Sequence, residues 1–260
     1  MENYMELFSL KGRKALITGG TGGLGSEIAD AFLQCGAKVA VCGRHPEDTA
    51  VTPEEYEKTG GQKILFIRCD ITDEADVKAM MDQIETCLGG LDIVVNCAGM
   101  NKLIAAEKYD TAAFEKVMAL NVTGTFLVNR EAAARFLIPQ SHGKIINFSS
   151  VKGFLGTDKD YIAYCTSKGA INMYTKQLAC EWGKYGINVN AIAPTFVRTP
   201  INSFQLDDPV FYKSLTDRIP LGRIGAKKDI ACAAIYLASE ASAFVSGHIL
   251  TVDGGLTARQ

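Results

Sequence analysis

The chain has 260 residues, 47 % of them hydrophobic, with 25 glycines and 7 prolines, a balance that suits many tight turns joining regular elements around a sizeable core. Its formal net charge of −2 excludes the basic excess expected of a nucleic-acid binder; no apolar run approaches the ~18 residues of a membrane span, and the opening stretch, with Glu2 and Glu6, lacks the basic start of a signal or transit peptide. The expectation is a soluble cytoplasmic protein whose eight cysteines, with no C-x-x-C pair among them, act as small hydrophobes, and whose three scattered histidines show no metal-ligand spacing.

Short apolar runs rich in branched residues alternate with longer helical patterns. Strands are predicted at 14–18, 38–42, 63–68, 92–96, 144–148, 187–191 and 248–252. Between them, 24–34 repeats apolar residues near a period of 3.6. Thr52-Pro53-Glu54-Glu55 reads as an N-cap, a proline at the first helical position and first-turn acids, with Gly60 as the stop. Thr72, followed by Asp73 and Glu74, opens another helix that ends at Gly89, and 164–183 is a helical stretch with few breakers. The central strands are near-continuous apolar runs, as expected where both sheet faces are covered. Strand and helix in alternation predict an α/β fold, a doubly wound parallel sheet of seven strands with helices on both faces, in a single domain spanning 1–260.

Directly after the first strand comes Thr18-Gly19-Gly20-Thr21-Gly22-Gly23-Leu24-Gly25, and a helix follows. Glycines let a backbone approach a ligand closely, and a helix N-terminus offers free N–H groups and partial positive charge to a diphosphate. The spacing is G-x-x-x-G-x-G rather than G-x-G-x-x-G. In that form it resembles the short-chain dehydrogenase/reductase family, in its branch of roughly 250-residue single-domain Rossmann-type enzymes. The likeness runs almost end to end: Asp70 after the third strand, Asn96-Cys97-Ala98-Gly99 at the end of the fourth, Asn121 in N-V-T-G, Ser150 after the fifth, Tyr164-Cys165-Thr166-Ser167-Lys168 as Y-x-x-x-K, and Val252-Asp253-Gly254-Gly255 near the C-terminus. Each match is weak alone; together, in family order, they are specific.

The resemblance implies a nicotinamide dinucleotide held by Gly19, Thr21, Gly23, Leu24 and Gly25 at the turn. Asp70 and Ile71 would lie at the adenine, and Asn96, Ala98 and Gly99 along the ribose and phosphate. Pro194, Val197 and Thr199 would meet the carboxamide, with Thr195 where the family carries glycine. An NAD site needs a carboxylate at the end of the second strand, but here Gly43 stands in that place and Arg44 follows. A guanidinium there suits a 2′-phosphate, so NADP(H) is predicted over NAD(H).

Tyr164 and Lys168, four apart on a helix, face one side a turn apart. A phenol with a pKa near 10 is a poor base at neutral pH, and a fixed ammonium nearby is expected to favour the phenolate and bring it toward the working range. Tyr161 lacks such a lysine partner, because Cys165 stands four residues on. Ser150, preferred over Ser149, would donate to the reacting oxygen. Asn121 resembles the family's fourth catalytic member, which bends a helix and holds a water linked to the lysine. The implied reaction is hydride transfer between nicotinamide and a secondary alcohol or ketone. Ala193–Thr199 together with Leu7–Gly12 is similar to members acting on sugar acids and polyols, of the gluconate 5-dehydrogenase type. The small-molecule substrate would meet Ser150, Lys152, Tyr164, Thr195 and Arg198, with Lys102 a further candidate cation, under a lid at 198–218. A 3-oxoacyl-carrier-protein reductase presenting Arg130, Arg135 and Lys176 to its carrier is the competing reading, and a non-catalytic dinucleotide sensor a third. The resemblance also implies a homotetramer built through helices near 123–138 and 162–185 and the last strand.

Overall fold

Side chains alternate across each strand, and here both sets are apolar. In β1 (Lys14–Thr18) Ala15 and Ile17 face one side and Leu16 the other, all fully buried. The computed structural model describes residues 3–45, 50–199 and 202–259. The remaining strands are β2 (Lys38–Gly43), β3 (Ala50–Val51), β4 (Ile64–Arg68), β5 (Ile93–Asn96), β6 (Gly143–Phe148), β7 (Ile187–Pro194) and β8 (Ile249–Val252). They form one sheet in the order β3-β4-β2-β1-β5-β6-β7-β8, and every pairing is parallel.

The sheet therefore has eight strands, not the seven predicted. The added member, β3, pairs only Ala50 with Ile64 and Val51 with Leu65 at the sheet edge. Two residues are too few to leave an apolar pattern, so its strand character comes from β4 alone. β7 runs three residues past the predicted end because β8 pairs with Ala191–Pro194.

The helices are α1 (Gly23–Gln34), α2 (Pro53–Lys58), α3 (Glu74–Leu88), α4 (Thr111–Met118), α5 (Thr125–Ala132), α6 (Ile162–Trp182), α7 (Ser203–Leu206), α8 (Pro209–Thr216) and α9 (Lys227–Ala238). One core layer joins Ile17, Val39 and Val41 to Ile28 and Phe32 of α1 and to Ile230, Ala234 and Leu237 of α9. The other joins Leu16, Leu65 and Val94 to Met80, Met81 and Ile84 of α3, Leu127 and Val128 of α5, and Leu178 of α6. Full burial of a side chain such as Phe32 or Ile84 contributes roughly 1.5–3 kcal/mol, so packing rather than helix propensity holds these layers.

Several local expectations are met in detail and others shift. Thr52 caps α2, with its N–H donating to Glu55 Oε2 at 3.1 Å and Pro53 at the first helical position. The cap of α3 is Asp73 rather than Thr72. The Asp73 carboxylate accepts from Ala75 N at 2.7 Å and Asp76 N at 3.1 Å, while the Thr72 hydroxyl turns back to Asp70. Gly89 ends α3 in the left-handed region, φ +72°. The stretch predicted as one helix at 123–138 is interrupted by wide π turns at Ala119–Gly124 and Ala133–Leu137. The 198–218 segment carries α7 and α8; Pro200 and Ile201 of that predicted lid lie outside the described residues. Cys42 and Cys69 are buried as expected, but Cys180 and Cys232 are exposed. No helix among the described residues is long and apolar enough to cross a membrane.

Because the Asp73 carboxylate satisfies two orphan N–H groups, Asp73→Ala should destabilise the fold by about 1 kcal/mol. Urea denaturation reads this, and an unchanged midpoint would show that solvent caps α3 equally well.

Candidate active site

Parallel pairing brings the C-terminal ends of β1, β5, β6 and β7 to one edge of the sheet, and the predicted residues gather there. Gly19 has φ +63°, and its N–H donates to Cys42 O at 2.9 Å. A Cβ at Gly19 would stand 2.8 Å from Ala98 Cα, and one at Gly25 would strike Gly19 O. The turn therefore lies flush against β5, a closure helped by Ala98 N donating to Thr18 Oγ1 at 3.2 Å. The first turn of α1 carries no acidic residue, and its cap, Gly22, supplies no side chain, so the free N–H groups keep their positive end for a ligand. Thr199 approaches Gly23 from the far side: a Cβ there would lie 3.7 Å from the Thr199 methyl. This cradle fits a dinucleotide diphosphate.

At the end of β2, a Cβ on Gly43 would be 2.9 Å from Thr21 Oγ1, leaving no room for an acidic side chain unless Thr21 moves. Arg44 next to it is exposed. Asp70 Oδ1 accepts from Thr72 Oγ1 at 2.7 Å and from Thr72 N at 3.0 Å. Those bonds, with a smaller contribution from Arg44, hold its carboxyl below the usual range.

Three predicted cofactor residues turn their side chains inward. Ile71 is buried against Gly124, Val197 is buried in the core beside Gly225, and Asn96 donates to Asn129 Oδ1 at 2.7 Å and Asn147 Oδ1 at 3.0 Å. A ligand would meet the backbone of these residues.

The catalytic candidates converge on α6. Lys168, 5 % exposed, donates from Nζ to Phe148 O at 2.7 Å and lies 5.5 Å from the centre of the Tyr164 ring. The Ser150 side chain lies close enough to the Tyr164 hydroxyl to draw its pKa down. Ser150 Oγ also lies 3.4 Å from Pro194 O. Ser149 instead faces inward onto Asn172 Oδ1. Asn121 sits in the first π turn; its Nδ2 donates to Met100 O at 2.9 Å and Ser167 Oγ at 3.0 Å, and its Oδ1 accepts from Met100 N at 2.8 Å. Gly99 packs between Asn121 and Lys168, where a Cβ would be 3.2 Å from Asn121 Oδ1 and 3.8 Å from Lys168 Nζ. Pro194 ends β7, and the hydroxyl of Thr195 beside it is buried without a partner, a polar atom available to a ligand.

One electrostatic expectation is corrected. Burial pushes the Tyr164 phenol up to about 12, more than Ser150 draws it down. Burial also pulls Lys168 down to about 8, with Cys97 opposing. Loss of water is the largest cause at both groups, so at neutral pH Tyr164 is protonated.

Of the substrate candidates, Arg198 is committed to Asp207 Oδ1 at 2.6 Å and Leu206 O at 3.2 Å, and Lys102 is exposed. Lys152 remains at the site, with Nζ 5.3 Å above the Tyr161 ring. Tyr161, which has no lysine four residues on, packs edge-on to Tyr164 with ring centres 6.2 Å apart, and the Gln205 side chain of α7 lies near enough to its hydroxyl to draw its pKa down. Its spacing of three from Tyr164, one helical turn, was the signal available in the sequence. Gln205 carried none, since only folding brings α7 to this edge.

A family model described as enoyl-(acyl carrier protein) reductase matches residues 19–257. The gluconate 5-dehydrogenase of Gluconobacter oxydans (strain 621H) is 35 % identical over 257 residues, 98 % of each chain. The galactitol 2-dehydrogenase (L-tagatose-forming) of Cereibacter sphaeroides is 35 % identical over 256 residues, 98 % of this chain and 99 % of its own. The crystal structure of a gluconate 5-dehydrogenase from Burkholderia cenocepacia J2315 in complex with NADP and tartrate is similar with a TM-score of 0.91 at 36 % identity, covering 99 % of this chain and 100 % of that one.

The depressed Lys168 sets a sign for stability against pH. Below pH 8 both states hold its proton; from about 8 up to the ordinary lysine value of 10.5 the unfolded chain binds more, so this group's contribution rises with pH. Across pH 7–9.5 the stability of the wild type should therefore climb relative to Lys168→Met in urea titrations, and parallel curves would contradict the burial of a charged ammonium.

Proposed function

The chain belongs to the short-chain dehydrogenase/reductase family and is an oxidoreductase acting on CH–OH groups, and from that premise we propose that it moves hydride between NADP(H) and a secondary alcohol or ketone of a sugar acid, polyol or keto-sugar. The observation that carries this reading is the junction of Ser150, Tyr164 and Lys168 at the sheet edge beside the open glycine turn. When bound, the nicotinamide supplies the hydride chemistry, and the protein supplies placement and proton handling.

Ser150 Oγ donates to the reacting oxygen as charge develops there. Tyr164, protonated at neutral pH, gives its hydroxyl proton to the forming alkoxide in reduction and takes it back in oxidation. Lys168, fixed by Phe148 O, offers its remaining donors to the cofactor's ribose hydroxyls. Asn121 positions the loop at Met100 and the turn of α6 at Ser167. Gly19, Thr21, Gly23, Leu24 and Gly25 would cradle the diphosphate; Asp70 would accept from the adenine amino group, and Ala98 and Gly99 would line the ribose. Pro194 and Thr199 would border the carboxamide.

For NADP(H), Gly43 brings no carboxylate to repel a 2′-phosphate, and Arg44 stands exposed beside it. The Burkholderia relative's structure also contains NADP. Against the carrier-protein reading, Arg130 is paired with Glu74 and Glu131, and Arg135 with Asp82 and Glu131, which leaves the exposed Lys176 as the one of the three without an ion pair among the described residues. A sensor reading has no need of a hydroxyl pair beside a buried lysine.

We further propose one catalytic domain over 1–260, with 198–218 as its substrate lid, acting in the cytoplasm, where a reducing poise keeps its eight free cysteines as thiols. A homotetramer would cover Phe126 of α5 and Ile162 and Met173 of α6, each more than 40 % exposed.

Assays on hexonates, polyols, ketoses and acetoacetyl thioesters with both cofactors test the reading. Tyr164→Phe should lose roughly 10²–10⁴-fold in kcat while keeping its affinity for NADPH; near-normal turnover would exclude the acid–base role. Arg44→Ala should weaken NADPH binding about 10–100-fold more than NADH binding; equal losses would refute the 2′-phosphate assignment.

A further inference from the structure

Of the three cations that the sequence offers to an acidic substrate, the fold leaves one beside the reacting groups without an anionic partner. Arg198 is clasped by Asp207 and the Leu206 carbonyl, and Lys102 is exposed. Lys152 lies in the short turn Val151–Gly153 that begins just after Ser150, and its own N–H donates to Ser150 Oγ at 3.2 Å. Its side chain is half-buried, and its ammonium rests on the face of Tyr161, whose ring abuts that of Tyr164.

The groups that bear on this ammonium are Cys165, Arg218 and Asp158. Asp158 sits on an exposed loop, and no carboxylate among the described residues forms an ion pair with Lys152. A half-buried ammonium with three donors and a ring face beneath it keeps those donors for solvent or a ligand. A carboxylate arriving here would gain charge-assisted bonds without displacing an internal partner. Gln205 of α7 lies near the hydroxyl of the same ring.

We infer that Lys152 receives the carboxylate of a polyhydroxy-acid substrate while Ser150 and Tyr164 hold the reacting oxygen, an inference that rests on the oxidoreductase reading above. Lys152 is thus the specificity-determining residue that selects a sugar acid over the corresponding neutral polyol or ketose. Tyr161 orients the ammonium.

Two measurements on the NADP(H)-bound protein test this. In steady-state reduction of 5-ketogluconate and of a neutral ketohexose, Lys152→Met should cut the preference for the acid, as a ratio of kcat/KM values, about 10–100-fold, mostly through KM, and Lys152→Arg should restore much of it. Tartrate binding, followed through the fluorescence of bound NADPH, should weaken by a similar factor in Lys152→Met, and this reading needs no turnover. An unchanged preference, an unchanged tartrate affinity, or a wild type that does not bind tartrate overturns the assignment. Failure of the wild type to turn over any hexonate, polyol or ketose would instead sink the proposed reaction, while the tartrate titration would still decide the role of Lys152.

Discussion

The ammonium of Lys168 has almost no contact with water and one strong acceptor, the Phe148 carbonyl at 2.7 Å. That bond fastens the first turns of α6 to the last residue of β6. Ser150 follows two residues after Phe148 and Tyr164 lies one helical turn before Lys168, so a single buried bond fixes the separation of the two hydroxyls that meet at the reacting oxygen. Gly99 keeps the β5 loop free of a side chain beside Nζ, which leaves the remaining ammonium donors open to a ligand.

Around this junction the protein spends polar groups on rigidity. Asn96, Asn129, Asn147 and Thr175 form a buried chain of hydrogen bonds that ties β5 to β6 and both to α5 and α6. Because the strands pair in parallel with apolar faces on both sides, slippage of either central strand would strand these amides as well as misplace the core. The π turn at Asn121 serves the same end. It swings one amide out of the helix to clamp Met100 from both its N–H and its C=O, which fixes the loop leaving β5.

Burial also decides where the protons are. The phenol rises to about 12 and the ammonium falls to about 8 because burial takes the hydration from both. Tyr164 therefore holds its proton at neutral pH. The recess beyond it is built from different material: an aromatic ring, an amide from α7 and a cation without an anion, which suits it to discriminate among substrates and not to move protons.

By itself the sequence determined the parallel α/β architecture, the glycine turn, the Tyr164–Lys168 interval and the absence of an acid at Gly43, because each is written in local spacing or in branched apolar runs. Even the cap of α2 was legible, since Thr52, Pro53 and Glu55 act within four residues. Tertiary structure alone decided the two-residue strand β3, which exists only through its pairing with β4, and the wide turns within the predicted 123–138 helix. It also decided that Arg198 holds α7, that Asn96 and Ile71 face inward, and that Tyr161 joins the site with Gln205. These depend on partners tens of residues away, on the burial that sets each pKa, and on which face a side chain finds covered, none of which a one-dimensional pattern records.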